Sequence, residues 1–180
     1  MISNSTLSGN RNGIATDGGT ISLGNSTLAF NTADGIRIYG ATVSIFSSVV
    51  SNNAQQGPYG NCIQFSGSIE ITGPGSSSFT SDRTCEQFSL GSALSGRLLP
   101  PNYAETLDLG PLKDNGCVTD MRTTEGLGCV ATHGLIVDSI ANDAGACRGN
   151  NSTTPIMPSV SLDQRGFVRE DACDAGSYEN

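Results

Sequence analysis

Tryptophan is absent from this 180-residue chain and aromatic residues make up only 6% of it, so its core cannot rest on large aromatic side chains. A propeller blade would run to about 40 residues with aromatic signatures, and a leucine-rich repeat would show L-x-x-L-x-L; neither pattern occurs. Histidine occurs once, and no two of the six cysteines stand in C-x-x-C spacing. A zinc site would therefore need an all-thiolate cluster gathered from scattered positions. Basic residues are few, nine against seventeen acids, for a net charge of −8. Nucleic acid and anionic membrane surfaces are repelled by that balance, and no apolar run suggests membrane insertion. There is no G-x-S-x-G nucleophile elbow and no phosphate-binding loop, which removes the usual signals of acyl and phosphoryl transfer.

What the chain has instead is glycine, 23 residues of it, with Ser, Thr and Asn crowding the first 80 positions. This is poor material for helices and good material for short strands and turns. The segment "NSTLSGN" at 4–10 returns as "NSTLAFN" at 25–31 and, more loosely, as "SSVVSNN" at 47–53. Aligned on this interval of about 22 residues, apolar files emerge. They run through Leu7, Leu28, Val50 and Phe79; through Ile21, Val43 and Ile69; through Leu23, Ile45 and Ile71; and through Ile14, Ile36 and Ile63. Within each copy the letters alternate, as in "TISLGN", "TVSIFS" and "SIEITG", the period-two pattern of a strand buried on one face. Each period predicts about three short strands separated by turns. A unit that cannot bury its apolar side alone stacks on the next, so the expected fold is all-β, a right-handed parallel β-helix of a few coils. Asn10, Asn31 and Asn53 close the three copies and are expected to form a side-chain ladder at a bend. The sequons at Asn4 and Asn25 fall inside the repeat and read as turn residues rather than glycan acceptors; a third lies at Asn151.

The cysteines, Cys62, Cys85, Cys117, Cys129, Cys147 and Cys173, read best as disulfides and hence as a secreted or cell-surface protein. Spacing leaves the pairing open, with sequence nearness favouring Cys62 with Cys85, Cys117 with Cys129, and Cys147 with Cys173. "MISNSTLSGN" has neither the basic start nor the apolar run of a signal peptide. The expectation is export through a segment outside this sequence, or a fragment of a longer secreted protein.

From about Gly60 the composition shifts, and three ordered blocks follow: "LGPLKDNG" at 109–116, "THGLIVDSIANDAG" at 132–145 and "LDQRGFVREDACDAGSYE" at 162–179. Together they resemble the C-terminal signature of bacterial right-handed β-helix surface proteins of the choice-of-anchor type. The resemblance covers roughly residues 60–179, with "GCVTDMRTTEGLGC" at 116–129 as an insertion, Ile140 replacing the usual Pro and Asn142 an Ile. It implies a cell-surface protein whose last segment closes the solenoid. The expected organisation is coils over 1–90 and, over 91–180, a disulfide-pinned, loop-rich C-terminal cap packed on them. The first coil is expected to be uncovered, since Ile2 already lies on a strand.

Enzymes on this scaffold need carboxylates stacked on one outer face. Here Asp17 aligns with Tyr39, Asp34 aligns with Asn12, and Glu70 points outward alone, so no catalytic residue is assigned. The denser acids near the end are expected to form a structural network of Asp163, Arg165, Asp174 and Glu179. Asp143 and Asp171 are the positions on which a calcium ion would draw; no other cofactor is expected. His133 reads as a structural histidine. The expected function is non-enzymatic: an extracellular structural or surface-display solenoid, self-associating head-to-tail into fibres or acting as an adhesin toward a surface or glycan. The alternatives are a polysaccharide lyase or hydrolase, or a carbohydrate-binding module using Tyr39, Tyr59, Phe46 or Phe65.

Overall fold

The computed structural model describes residues 1–53, 60–71, 78–81, 84–85, 102–103, 109–116, 131–136, 139, 141–142, 162–169 and 174–176. These residues form strands and turns, with no helix among them. One sheet holds β1 (Ile2–Ser3), β3 (Ile14–Gly24), β5 (Ile36–Phe46), β7 (Cys62–Gln64) and β8 (Gly67–Ile71). The other holds β2 (Thr6–Ser8), β4 (Thr27–Ala29), β6 (Val49–Ser51), β9 (Phe79–Thr80) and β10 (Asn102–Tyr103). All pairings between these strands are parallel, and the arrangement is compatible with a β-solenoid.

From β1 to β7 consecutive strands of the chain alternate between the two sheets, so that β1 to β6 each pair with a strand from the following repeat. Leu7 lies opposite Leu28 and Leu28 opposite Val50. Ile21 meets Val43, which meets Ile69; Leu23 meets Ile45, which meets Ile71. Like side chains thus stand on like. The core gathers Ile14, Leu23, Leu28, Ile36, Ile38, Val43, Ile45, Val50 and Ile69 from both sheets, with Ile2, Leu7 and Ile21 partly buried against it. Full burial of an aliphatic side chain contributes about 1.5–3 kcal/mol.

Two of the expected files shift by one residue. Opposite Ile36 stands Cys62, while Ile63 pairs with Arg37. The cause is the disulfide from Cys62 to the buried Cys85, which turns Cys62 inward; a slip of one residue then sends Ile63 to the other face. Similarly, Phe79 stands opposite Val49, and Thr80 opposite Val50. Phe79 therefore leaves the main core and packs with Val49, Leu135, Ala141 and Ala175 in a second cluster.

Glycine is required where a bend brings two strands together. Gly67 has φ of +94°, and a Cβ there would overlap the carbonyl oxygen of Ala41, so no larger residue fits without moving β8 away from β5. β10, at 102–103, pairs parallel with β9 and extends the short-strand sheet beyond it.

Candidate functional site

The bends are held by two files of polar side chains. At one, Asn31 Oδ1 accepts from the Asn10 backbone N–H at 3.0 Å, and Asn53 Oδ1 accepts from Asn31 N at 3.1 Å and Asn31 Nδ2 at 2.8 Å. The carboxamides also reach across to the strands, Asn31 Nδ2 donating to Leu7 O at 3.1 Å and Asn53 Nδ2 to Leu28 O at 3.0 Å. The file continues into Asn61, whose Oδ1 accepts from Asn53 N and Nδ2 at 3.2 and 2.9 Å. Sequence reasoning missed Asn61 because it lies 8 residues from Asn53 rather than one repeat away.

The second file is made of serines. Ser5 N donates to Ser26 Oγ, Ser26 N to Ser48 Oγ, and Ser48 N to Ser78 Oγ, at 3.2, 3.2 and 3.4 Å. Its signal was present in the sequence as the Ser of the "NST" at 4–6 and 25–27 and the second Ser of "SSVV" at 47–50, each following a positive-φ corner at Asn4, Asn25 or Ser47. Asn and Ser tolerate that conformation better than bulky residues. Asn25 is buried, so a glycan cannot be carried there in the folded state.

Described residues between 109 and 176 contact the short-strand sheet. β2, β4 and β6 present the apolar and polar partners for these contacts. Val49 and Phe79 pack there on Leu135, Ala141 and Ala175. Gly176 N donates to Ser47 O at 3.0 Å, and a Cβ on Gly176 would come within 2.6 Å of Thr27 Oγ1. Thr6 Oγ1 donates to Gln164 Oε1 at 2.6 Å. His133 is buried between Ser8 and Gly110: its Nδ1–H donates to Gly110 O at 2.7 Å, and its Nε2 accepts from Ser8 Oγ at 2.8 Å, the assignment a neutral ring requires beside a carbonyl. Burial lowers its pKa below the ordinary imidazole value, while the Gly110 hydrogen bond acts in the opposite sense. Phe30 tilts against the ring at 4.9 Å.

Within the acidic C-terminal block, Arg165 pairs with the buried Asp163, with Nε and Nη2 each 2.7 Å from Oδ2, and reaches Asn115 O at 3.2 Å. Asp174 is also buried, and its carbonyl accepts from Arg169 Nη1 at 3.1 Å. Arg169, which sequence reasoning left outside the network, joins the block to the strands: Nη2 donates to Gly176 O at 2.7 Å and Asn4 Oδ1 at 3.3 Å. Glu179, the calcium candidates Asp143 and Asp171, and Cys117, Cys129, Cys147 and Cys173 lie outside the described residues. Among the described residues no three His, Cys, Asp or Glu side chains gather as a metal site, and no helix is long and apolar enough to cross a membrane.

On the outer face of the long-strand sheet the acids do not stack. Asp17 pairs in register with Tyr39, and Asp34, buried, holds Arg37 Nε at 2.6 Å. Glu70 accepts from Ser68 Oγ at 3.4 Å, so it is not alone, but no second carboxylate joins it among the described residues. No family model, curated protein or solved structure matches the chain.

Proposed function

We propose that the chain is an extracellular right-handed parallel β-helix of the choice-of-anchor kind, working as a structural module that stacks end to end with copies of itself. The connections support the right hand: β1, β3 and β5 are parallel neighbours joined through the opposite sheet, and such crossovers are right-handed in nearly all proteins. The observation that carries the stacking is the edge of β3. It pairs with β5 from Ile14 to Gly24, but on its other side only Leu23 and Gly24 meet a strand, β1, among the described residues. Residues 14–22 therefore present a row of outward N–H and C=O groups above the partly buried Ile2, Leu7 and Ile21. At the far end of the same sheet, β7 and β8 have no further neighbour among the described residues. A copy translated along the stack keeps all strands parallel, so one edge supplies what the other lacks, and the contact is heterologous and repeats into a filament. The Cys62–Cys85 disulfide supports an oxidising compartment.

Electron micrographs and sedimentation at high concentration test this. Filaments are expected, and Ala15→Pro should abolish them while leaving the far-ultraviolet dichroism unchanged. Ile14 N–H bonds to the carbonyl of Gly35, the residue before β5, so the alternating Ala15 N–H faces the open edge, where proline is tolerated. Monomers alone at every concentration would sink the proposal. Uronate polymers such as pectin and alginate should yield no unsaturated product and no new reducing ends.

A further inference from the structure

One outward file of the long-strand sheet changes character partway along. The Tyr39 and Phe65 rings stack at 4.3 Å with 2° between their planes, and both are exposed, 40% and 59%. The next place in the file, opposite Tyr39 on β3, holds Asp17. Tyr39 thus has one ring face covered by Phe65, and the other borders a cleft of about 350 Å³ lined by Ala15, Thr16, Asp17 and Tyr39. Beside the cleft, Gly18 and Gly19 carry no side chain, and a Cβ at either would meet nothing within 4 Å. Neither the Asp17 carboxylate nor the Tyr39 hydroxyl has a partner among the described residues.

We propose that this cleft binds a guanidinium group, the side chain of an arginine presented by a partner protein, stacked flat on Tyr39 and paired with the Asp17 carboxylate. A ring face attracts cations, and a planar, weakly hydrated cation best of all; a carboxylate beside it accepts two parallel N–H groups from the same fork. The chain already uses this chemistry internally, with Arg37 Cζ 5.9 Å from the Phe65 centroid and Arg165 Cζ 4.7 Å from that of Phe167. The net charge of −8 draws a basic partner toward the surface. An anion would be repelled by Asp17, and a neutral sugar would use the ring without needing the charge.

The test is a titration of the whole chain with N-acetylarginine amide, its lysine counterpart, an arginine-centred peptide and neutral oligosaccharides. It is followed by amide chemical shifts and by tyrosine fluorescence, which is unobscured because tryptophan is absent. Arginine amide should shift Ala15, Thr16, Asp17 and Tyr39, and the lysine compound should bind roughly threefold more weakly. Asp17→Asn should weaken arginine binding roughly tenfold. Asp17→Arg, which fills the cleft with the chain's own guanidinium, should abolish it; both substitutions are on the surface, and unchanged dichroism verifies the fold. The peptide should bind more tightly than the amide; equal affinity overturns the assignment of a protein partner. Oligosaccharide binding that survives Asp17→Asn would make the stack a sugar platform and overturn the proposal. Silence with every probe would reduce the rings to a stabilising ladder and do the same.

Discussion

Asn53 Nδ2 lies 2.9 Å from Asn61 Oδ1, across a separation of only 8 residues, whereas the preceding step of the same file, Asn31 to Asn53, spans 22. The carboxamide of Asn53 therefore joins two repeats that the chain reaches by a short path, and it satisfies four polar groups at once: Asn31 N, Asn31 Nδ2, Leu28 O and Asn61 Oδ1. Asn53→Ala removes all four bonds; Asn31 Nδ2 keeps Leu7 O and Asn61 Oδ1 keeps the backbone N–H of residue 53, so the loss falls chiefly on Asn31 N and Leu28 O. Since each such group costs about 1–3 kcal/mol and relaxation recovers part, a loss of about 3 kcal/mol is expected in urea unfolding. A loss below about 1 kcal/mol would mean that water takes over the file.

The Cys62–Cys85 disulfide closes a loop with a sequence separation of 23. In the chain-entropy account a loop of this size stabilises by about 3 kcal/mol. The double substitution Cys62→Ala with Cys85→Ala should lower stability by about that amount plus a small packing loss, since both side chains belong to the buried core. Thermal unfolding of the double variant beside the parent checks it.

His133 gives a pH dependence of defined sign. Its pKa is lowered in the folded chain because burial disfavours the imidazolium. The unfolded chain therefore binds more protons in the window below the ordinary value of about 6.5. The stability this neutral ring contributes is present above that value and is lost as the pH falls from it toward the folded pKa. Urea unfolding at neutral and mildly acidic pH should show the loss, and His133→Gln should flatten the dependence in that window, leaving only the carboxylates at lower pH. Parallel curves for the two proteins would overturn it.

Arg169 is buried at 2% exposure and joins the last described segment to Asn4, at the opposite end of the sequence. Arg169→Leu leaves the carbonyls of Asp174 and Gly176 without these donors. A loss of about 3 kcal/mol is expected. Hydrogen exchange should locate it: amides of β2 and β4 that the 162–176 segment covers should exchange faster, while those of β5, on the other sheet, should change least.

How far the residues announced this arrangement can be read file by file. Leu7, Leu28 and Val50, or Leu23 and Ile45, could be aligned in advance because they recur at separations of 21 or 22, as the polar contacts between Ser5, Ser26 and Ser48 do. Side chains of alternating direction then keep the same face. Where the interval lengthens, the alternation of β8 still placed Ile69 and Ile71 opposite Val43 and Ile45, but the shorter β7 and β9 were set wrongly. The steps from Gly40 to Ser66 and from Ser48 to Ser78 span 26 and 30 residues, and nothing in a period-two pattern says how many residues a turn absorbs. Hence Ile63 and Phe79 were each placed one position out of register.

The amino-acid pattern alone determined the all-β character and the parallel partners of the regular repeats, because alternation and a nearly constant interval are local properties that survive any path between strands. The tertiary structure decided the rest. Which of Cys62 and Ile63 turns inward depends on where Cys85 returns, and which face of the short strands is covered depends on Leu135, Ala141 and Ala175 arriving from far along the chain. The pairing of Asp17 with Tyr39 was legible, but the cleft between them was not: it exists because the ring's second face is taken by Phe65 and Gly18 and Gly19 leave the space beside it open. Such relations are set by distances between chain segments, and a linear sequence carries no distances.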